Sequence, residues 1–180
     1  MSSEALATCK PSSQVDLADW QTVPLADVAD ISRGTSWGSE NEHREAVEDA
    51  LPVLGIKNVQ ARLETRDLIW LRGLKPSAIA SSTVQAGDIL MVGSNGNPDR
   101  IGNAVQVDEP GRYLFASLLF GLRPRREVVD PDFLFQAIVS PRNSITKIFA
   151  ESIRLVALKS RFCLLVQMRP ENDCPFLKEA

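Results

Sequence analysis

The sequence predicts an α/β (α+β) domain in which short strands form a β-rich mixed sheet and a few short helices accompany it. Several short apolar runs have the length and the β-branched composition of buried strands. Pro and Asp-Pro stand where helices begin, and segments rich in Gly and Asn separate the runs. The 180 residues, 44% hydrophobic and 24% charged, suffice for one hydrophobic core and are typical of a globular domain.

Five apolar runs are predicted to form strands. They comprise residues 51–59, 68–71, 88–92, 105–107 and 113–122. Gly87 and Asp88 form a turn signal directly before four apolar residues, so the chain is expected to bend there and enter a strand. We expect residues 88–92 and 113–122 to be buried strands of one sheet system, because both runs are apolar and bounded by turn residues.

A first short helix is predicted directly after Pro24, because proline suits the start of a helix. Apolar residues then recur at nearly helical spacing, and the helix is expected to end near Gly34. The residues with this spacing are Leu25, Val28, Ala29 and Ile31.

A second helix is predicted from Asp130 and Pro131, which suit an N-cap and a first helical turn. We expect it to end by Ser140, before Pro141. Residues 143–152 repeat the cap and the apolar pattern and are predicted as one more helix. The apolar face of the second helix is formed by Phe133, Leu134, Ala137 and Ile138.

Three polar segments lack the pattern of a helix or a strand. Residues 1–19 have no apolar period and are predicted as a flexible leader. Residues 35–50 are strongly acidic and are predicted as a long surface loop. Residues 93–103 contain three Gly, three Asn and one Pro, and we expect a loop in which nothing is buried.

Targeting signals and cysteines point to a cytoplasmic protein. The first residues lack the layout of a secretory signal, and no run approaches the roughly eighteen apolar residues of a membrane span. Cys9, Cys163 and Cys174 are widely spaced and odd in number, which predicts reduced thiols rather than a disulfide framework. Since His43 is the single histidine, a zinc site would lack ligands.

The charge of the chain is unevenly distributed. The whole sequence carries a net charge of -3, which counts against nucleic-acid binding because phosphates require a basic surface. Residues 56–126, however, have ten Lys and Arg against six Asp and Glu, a net charge of +4. This middle third is interpreted either as a local basic face or as an ordinary solvated surface.

Six sequence pieces, in order from Trp20 to about Ser152, carry a family likeness. They are W-x-x-V-P-L-x-D-V-A-x-I-S-x-G, P-V-L-x-I-K-N-V, G-D-I-L-M-V-x-S-x-G, I-G-x-A-x-x-V, L-R-P and D-P-x-F-L. Their joint order and spacing resemble the specificity subunits of type I restriction-modification systems. The resemblance implies that residues 20–152 form a target-recognition domain that binds double-stranded DNA for methyltransferase and endonuclease subunits. It also implies a non-catalytic chain that needs no metal or cofactor.

Residues 153–180 depart from the pattern of that family. The family continues with a P-P-L-x-E-Q segment and a long helix, which pairs with a second copy to set the spacing between half-sites. Here the chain runs IRLVALKSRFCLLVQMRPENDCPFLKEA instead. We expect an atypical tail, truncated or frame-shifted, that packs poorly on the domain, and a second recognition domain stays open as a partner.

Candidate DNA contacts lie in two predicted loops, 57–66 and 94–103. Lys and Arg suit phosphates or guanine, which favours Lys57, Arg62, Arg66 and Arg100 for these contacts. Asn, Gln and Ser suit base edges, which favours Asn58, Gln60, Ser94, Asn95 and Asn97. An Asn in a Gly-rich loop also commonly holds a turn, and this alternative stays open.

Trp37 and Trp70 are a further pair with a possible role in binding DNA. Either ring is suited to stack on a flipped base. For Trp70, core packing is the simpler interpretation, since it lies within a predicted strand.

Enzyme chemistry finds little support in the residues. No Lys has an Asp or Glu two positions before it, so the carboxylate-x-Lys pair of metal-dependent nucleases is missing. Residues 130–133 resemble the D-P-P-F/Y motif of amino-methyltransferases, but the second Pro is absent and a helix start explains them. His43 is interpreted as a solvated residue. The open alternatives are a protein-interaction module or remnant without DNA binding, and a small hydrolase.

Overall fold

Short strands dominate the computed structural model, which describes residues 21–108, 111–140 and 165–168, the last four and residues 21–22 by their backbone alone. Within these residues the strands are β1 (Gln21–Pro24), β2 (Ala29–Arg33), β3 (Glu42–His43), β4 (Leu51–Leu54), β5 (Ile69–Leu71), β6 (Ile89–Val92), β7 (Ala104–Gln106), β8 (Leu114–Phe115), β9 (Leu119–Pro124) and β10 (Leu165–Met168). The α-helices are α1 (Leu25–Val28), α2 (Pro76–Ser82) and α3 (Pro131–Val139).

The strands form two four-stranded sheets and one separate pair. The central sheet has the order β2-β9-β6-β7, and all its neighbours are antiparallel. The second sheet has the order β3-β5-β4-β8, in which β4 and β8 run parallel. Strands β1 and β10 pair antiparallel with each other. The predicted fold class, mixed sheets with a few short helices, is therefore confirmed.

The central sheet is covered on both faces, which explains why β6 is apolar at every position. Ile89 and Met91 pack on the side of α1 and α3, whereas Leu90 and Val92 pack on the side of the second sheet. All four side chains are fully buried. Partners on the helical side are Leu25, Val28, Leu134 and Ile138, and partners on the other side include Leu54, Val59 and Phe115.

The predicted helix between Pro24 and Gly34 is wrong beyond its first turn. Helix α1 ends at Val28, and Ala29 already has an extended backbone with φ -148° and ψ 146°. Residues of β2 then pair with β9, with Ile31 opposite Leu122. Ala29 and Ile31 are two residues apart, which is the period of a strand, so pairing with β9 decides their conformation.

Two of the predicted strands are divided in the structure. In residues 51–59 only β4 forms a strand, and a 3-10 turn, Ile56–Asn58, follows Gly55. In residues 113–122 a turn separates β8 from β9, closed by the Leu119 N–H donating to Ala116 O at 2.9 Å. Strand β9 joins β6 in one sheet as expected, but β8 belongs to the second sheet. Strands β5, β6 and β7 confirm the other three predictions.

Helix α3 confirms the prediction from Asp130 and Pro131. Asp130 Oδ1 accepts hydrogen bonds from the backbone N–H of Asp132 at 2.9 Å and of Phe133 at 3.1 Å. The helix ends at Val139 with Ser140 as its C-cap. Helix α2 was not predicted, although Pro76 occupies its first turn, where proline is favoured.

Most of residues 35–50 form a polar surface segment, as predicted, with a 3-10 turn, Ser39–Asn41, and the short strand β3. His43 is the exception to the predicted solvation. It is half-buried in β3, opposite Trp70 of β5. Pairing with the second sheet therefore withdraws part of its surface from water.

Several predictions fall on residues outside the described ranges, namely the leader 1–19, the helix 143–152 and most of the tail 153–180. Within the tail, the backbone of β10 pairs with β1, with Leu165 opposite Pro24. That segment therefore does not lie apart from the domain. In the portion that the structure describes, no helix is long and apolar enough to cross a membrane.

Candidate nucleic-acid interface

Arg100 joins the two segments in which the sequence analysis places DNA contacts. Its Nη2 donates to Ile56 O at 3.1 Å and to Val59 O at 2.9 Å. Its Nε is buried and finds no acceptor among the described residues, so the guanidinium is turned toward the protein. We call residues 55–67 the first loop and residues 93–103 the second loop. The hydrogen bonds from Arg100 bring together two loops that lie far apart in the sequence.

Asn58 organises the first loop from its inside. Its side chain is 1% exposed. Oδ1 accepts from the Gly55 N–H at 2.8 Å, and Nδ2 donates to Glu64 O at 2.7 Å and to Arg66 O at 3.3 Å. The amide is buried and fully engaged, so the predicted contact of Asn58 with a base edge does not fit its geometry. The alternative of a turn-holding asparagine explains this residue.

The cations of the first loop lie on its outer surface. Lys57, Arg62 and Arg66 are all exposed. Lys57 Nζ donates to Asp67 O, and Arg66 Nη2 pairs with Glu64 Oε2 at 3.0 Å. The guanidinium of Arg62 has no hydrogen bond or ion pair within the described ranges. Exposed cations on one loop are suited to phosphates, because they keep the charge outside the protein.

Gln60 supports the loop and still faces solvent. Its Nε2 donates to Lys57 O at 2.8 Å, while the residue as a whole is exposed. The side-chain oxygen of Gln60 is therefore left as an acceptor. A single free acceptor is enough for one hydrogen bond to a base amino group.

The second loop is held by its own asparagines. Asn95 Oδ1 accepts from the Asn97 N–H, and Asn97 Oδ1 accepts from the Asp99 N–H, both at 3.0 Å. The second contact caps the 3-10 turn Pro98–Arg100. Each oxygen keeps a second lone pair and each amide keeps its N–H donors, so both groups needed at an adenine edge remain. Ser94 and Asn97 are exposed, and Asn95 is half-buried.

The base of the second loop is buried, contrary to the expectation that nothing in it is buried. Gly93 and Gly102 are both inaccessible to solvent. A Cβ on Gly93 would lie 2.3 Å from the ring of Phe120, and Gly102 has a φ of +88°, which favours glycine. The Gly102 N–H donates to Val92 O at 2.9 Å. The glycines thus let the loop leave β6 and return to β7 close to the sheet.

At the end of the central sheet opposite the second loop, two arginines are paired with aspartates. Arg123 pairs with Asp88 at 2.8 Å, and Arg125 pairs with Asp30 at 2.8 Å. Hydrogen bonding to Asp88 raises the pKa of Arg123, and hydrogen bonding to Asp30 raises the pKa of Arg125. These cations already have carboxylate partners, so they are poorer candidates for phosphate than Lys57 and Arg62, which have none among the described residues.

The other candidate chemistries gain no support from the described residues. Nowhere in them do three or more His, Cys, Asp or Glu side chains gather as metal ligands would. Trp37 packs against the apolar cluster of the second sheet and donates from Nε1 to Glu42 at 3.3 Å. Trp70 is half-buried in β5. The ring of Trp37 therefore contributes to packing of the second sheet, whereas Trp70 takes part in it by strand pairing with His43 and Pro52.

Comparisons with known proteins agree with the resemblance found in the sequence motifs. No family model matches the chain. Over 134 residues the chain is 25% identical to the type I restriction enzyme StySPI specificity subunit of Salmonella potsdam, an alignment that covers 73% of this chain and 28% of that protein. The chain thus spans little more than a quarter of the length of this curated relative.

Solved structures show the same likeness at the level of the fold. The HsdS subunit from Thermoanaerobacter tengcongensis matches with a TM-score of 0.59 and 17% identity, over 89% of this chain and 35% of that one. A chain from a type I R-M system, studied for complex assembly and conformational transition, matches equally well over 36% of its length. The S subunit from M. genitalium matches with a TM-score of 0.50 and 14% identity, over 84% of this chain and 34% of that one. The resemblance to type I specificity subunits is confirmed.

Proposed function

We propose that this chain is a target-recognition domain of a type I restriction specificity subunit and binds double-stranded DNA through the two loops. The observation that carries the proposal is the pair of hydrogen bonds from Arg100 to Ile56 O and Val59 O. They link the loop that carries the exposed cations to the loop that carries the exposed amides. A DNA-reading surface requires both kinds of group together, because phosphates position the protein and base edges specify the sequence.

Within this surface the residues divide by role. Lys57, Arg62 and Arg66 contact phosphates, because they are exposed and cationic. Base edges are contacted by Gln60, Ser94, Asn95 and Asn97, whose donors or acceptors remain available. Arg100 and Asn58 position these groups and do not themselves contact DNA, since their polar atoms are engaged by the two loops.

The negative overall charge of the chain does not oppose this proposal. Phosphates respond to the charge within roughly one Debye length, about 8 Å at physiological salt, rather than to the total. The cations of the first loop belong to the segment of net charge +4. The acidic residues are concentrated before residue 56, including the segment 35–50.

The proposed partners are the methyltransferase and endonuclease subunits of such a system. The curated relative is the specificity subunit of a type I restriction enzyme. This chain would supply sequence recognition in the cytoplasm and leave the chemistry to those subunits. A second recognition domain is proposed only as the partner that would bind the other half of a two-part DNA sequence.

The test is a selection of duplexes from a random-sequence pool by the full chain, followed by titrations at several salt concentrations. We expect one enriched sequence and binding that weakens as salt rises. A variant with Lys57→Ala, Arg62→Ala and Arg66→Ala should lower the salt slope by about 2.7, or about 0.9 for each phosphate contact. Arg125→Ala is the matched control, because this exposed arginine is paired with Asp30, and its slope should equal that of the parent.

Two outcomes contradict the proposal. Binding without any enriched sequence would remove the role in recognition. The absence of duplex binding at low salt would favour the alternative, a protein-interaction module without DNA binding.

A further inference from the structure

The turn between β8 and β9 exposes an apolar side chain beside the second loop. Leu118 is 45% exposed, more than any other large hydrophobic residue in the portion of the chain that the structure describes. Val139 and Val47 follow with 38% and 37%. An exposed leucine alone is common on protein surfaces, so its surroundings decide whether it has a role.

The backbone of this turn is fixed against the second loop. Leu118 O accepts from the Gly93 N–H at 2.9 Å and from the Ser94 N–H at 3.2 Å. On its other side, the Ser117 N–H donates to Thr35 O at 2.7 Å. Leu118 is therefore held next to Ser94, at the start of the loop that we propose reads bases.

A cation of β2 lies against the same turn. Arg33 is exposed, and its Nε donates to Ser117 O at 2.9 Å. Within the described ranges Arg33 has no carboxylate partner, and its Nη groups make no hydrogen bond. The bond to Ser117 fixes the guanidinium beside Leu118 and leaves its outer donors for a phosphate.

We propose that Leu118 contacts the 5-methyl group of a thymine in the major groove while Arg33 binds an adjoining phosphate, which rests on the DNA-binding function proposed above. The thymine methyl is the apolar group that the major groove presents to a protein. Two residues that fix this turn, Ser94 and Ser117, are polar. A protein interface would present a larger apolar core, whereas one methyl group requires only one such contact.

The experiment removes the methyl group from the DNA and the side chain from the protein in turn. The full chain first selects its duplex from a random pool, and each thymine of that duplex is then replaced by deoxyuridine. We expect one replacement to weaken binding of the parent about four-fold, the value of one buried methyl group. For Leu118→Ala the same two duplexes should bind equally. Val139→Ala, a similarly exposed valine on α3, should keep the four-fold difference.

Arg33→Ala tests the second half of the proposal. It should weaken the thymine and deoxyuridine duplexes by the same factor and lower the salt slope by about 0.9. A difference between the two duplexes that persists unchanged in Leu118→Ala would overturn the assignment of Leu118. The assignment of Leu118 would also be overturned if the parent bound every deoxyuridine duplex as tightly as the thymine duplex. The proposed function would then still stand, because the parent would have selected a sequence. If no sequence is selected at all, both proposals fail.

Discussion

Arginines lie at both ends of the central sheet, but their hydrogen-bond partners differ. At the ion-pair end, Arg123 is matched by Asp88 and Arg125 by Asp30. At the loop end, defined by the second loop, the turn 116–119 and Arg33, the arginines bond to backbone carbonyls instead. Arg33 donates to Ser117 O, and Arg100 donates to Ile56 O and Val59 O.

This difference separates charge that stabilises the fold from charge that remains for a ligand. A carboxylate partner cancels the charge of an arginine and lowers its attraction for phosphate. A carbonyl partner fixes the guanidinium without cancelling its charge. The loop end, together with the first loop that Arg100 joins to it, is therefore the end that suits DNA. At the other end the two ion pairs are structural, and Arg126 is the arginine there that donates to a carbonyl, Ala86 O, without a carboxylate partner among the described residues.

The largest expected effect is a loss of stability at the ion-pair end. Asp88 is 6% exposed and accepts from Arg123 Nε and Nη2 and from the Gln85 N–H. Asp88→Ala should lower the free energy of unfolding by about 3 kcal/mol, because three hydrogen bonds to one carboxylate are lost, two of them from the half-exposed guanidinium of Arg123. Urea denaturation measures this change, and the affinity of the folded fraction for DNA should not change.

Asp30→Ala is the exposed counterpart of that variant. Both members of the pair Arg125–Asp30 are more than one third exposed, so the change in stability should be much smaller than for Asp88→Ala. Equal losses in the two variants would mean that burial does not distinguish the two pairs. Weakened DNA binding in either one would remove the contrast between the ends.

The next effect concerns Arg100, which links the first loop to the second loop. Arg100→Met should cost about 2 kcal/mol of stability, because two hydrogen bonds from a charged donor are lost. Specific binding should fall with it, since the two loops would no longer be held together. Arg100→Lys is the discriminating variant. It keeps the charge, but its side chain is one atom shorter than the one that carries Nη2, so a phosphate contact would survive in it, whereas the bonds to Ile56 O and Val59 O would not. Retained stability and retained affinity in Arg100→Lys would therefore contradict the positioning role.

Local patterns predicted the parts of the molecule that local physics decides. The apolar run of β6, the Asp130 cap and the two polar loops all follow from adjacent residues. By contrast, β2 is a strand because β9 lies beside it, and residues 113–122 divide because two sheets meet there. These outcomes depend on partners that are distant in the sequence, and hydrophobic spacing does not contain them.

The candidate site shows the same division. Sequence reasoning selected two polar loops but did not separate their amides, since Asn58 is buried and Asn95 is half-buried. Arg33 and Leu118 were missed, because Arg33 lay in a predicted helix and Leu118 in a predicted strand. The turn 116–119 brings them together, and residue types alone do not reveal it.

A smaller effect, on affinity for the selected duplex, distinguishes asparagines that contact bases from Asn58, which supports the first loop. Asn97→Ala should cost about 1.5 kcal/mol on the selected duplex and hardly change affinity for a scrambled one, because an amide is lost from an adenine edge. Asn95→Ala should behave alike. Asn58→Ala, in contrast, should reduce stability, since its three bonds organise the first loop. Titrations of both duplexes and thermal unfolding separate these results. If Asn97→Ala and Asn95→Ala match the parent on both duplexes, the reading surface lies elsewhere, and residues 35–50 become the next candidate.

The smallest effect separates the two arginines of the first loop. The guanidinium of Arg62 has no partner in the described part of the chain, whereas that of Arg66 pairs with Glu64 at 3.0 Å. Arg62→Ala should lower the salt slope by about 0.9 and weaken selected and scrambled duplexes alike, because a phosphate contact carries no base information. Arg66→Ala should weaken binding further, since it also leaves the carboxylate of Glu64 facing the phosphates.

Glu64→Gln removes that second contribution and makes the comparison decisive. The double variant Glu64→Gln with Arg66→Ala should return to the affinity and the salt slope of Arg62→Ala, because each then lacks one cation and neither exposes a new anion. Titrations at several salt concentrations measure both quantities. If Arg66→Ala and the double variant bind alike, Glu64 does not face the phosphates. If Arg66→Ala also binds like the parent, Arg66, whose side chain is 83% exposed, lies outside the contact with DNA.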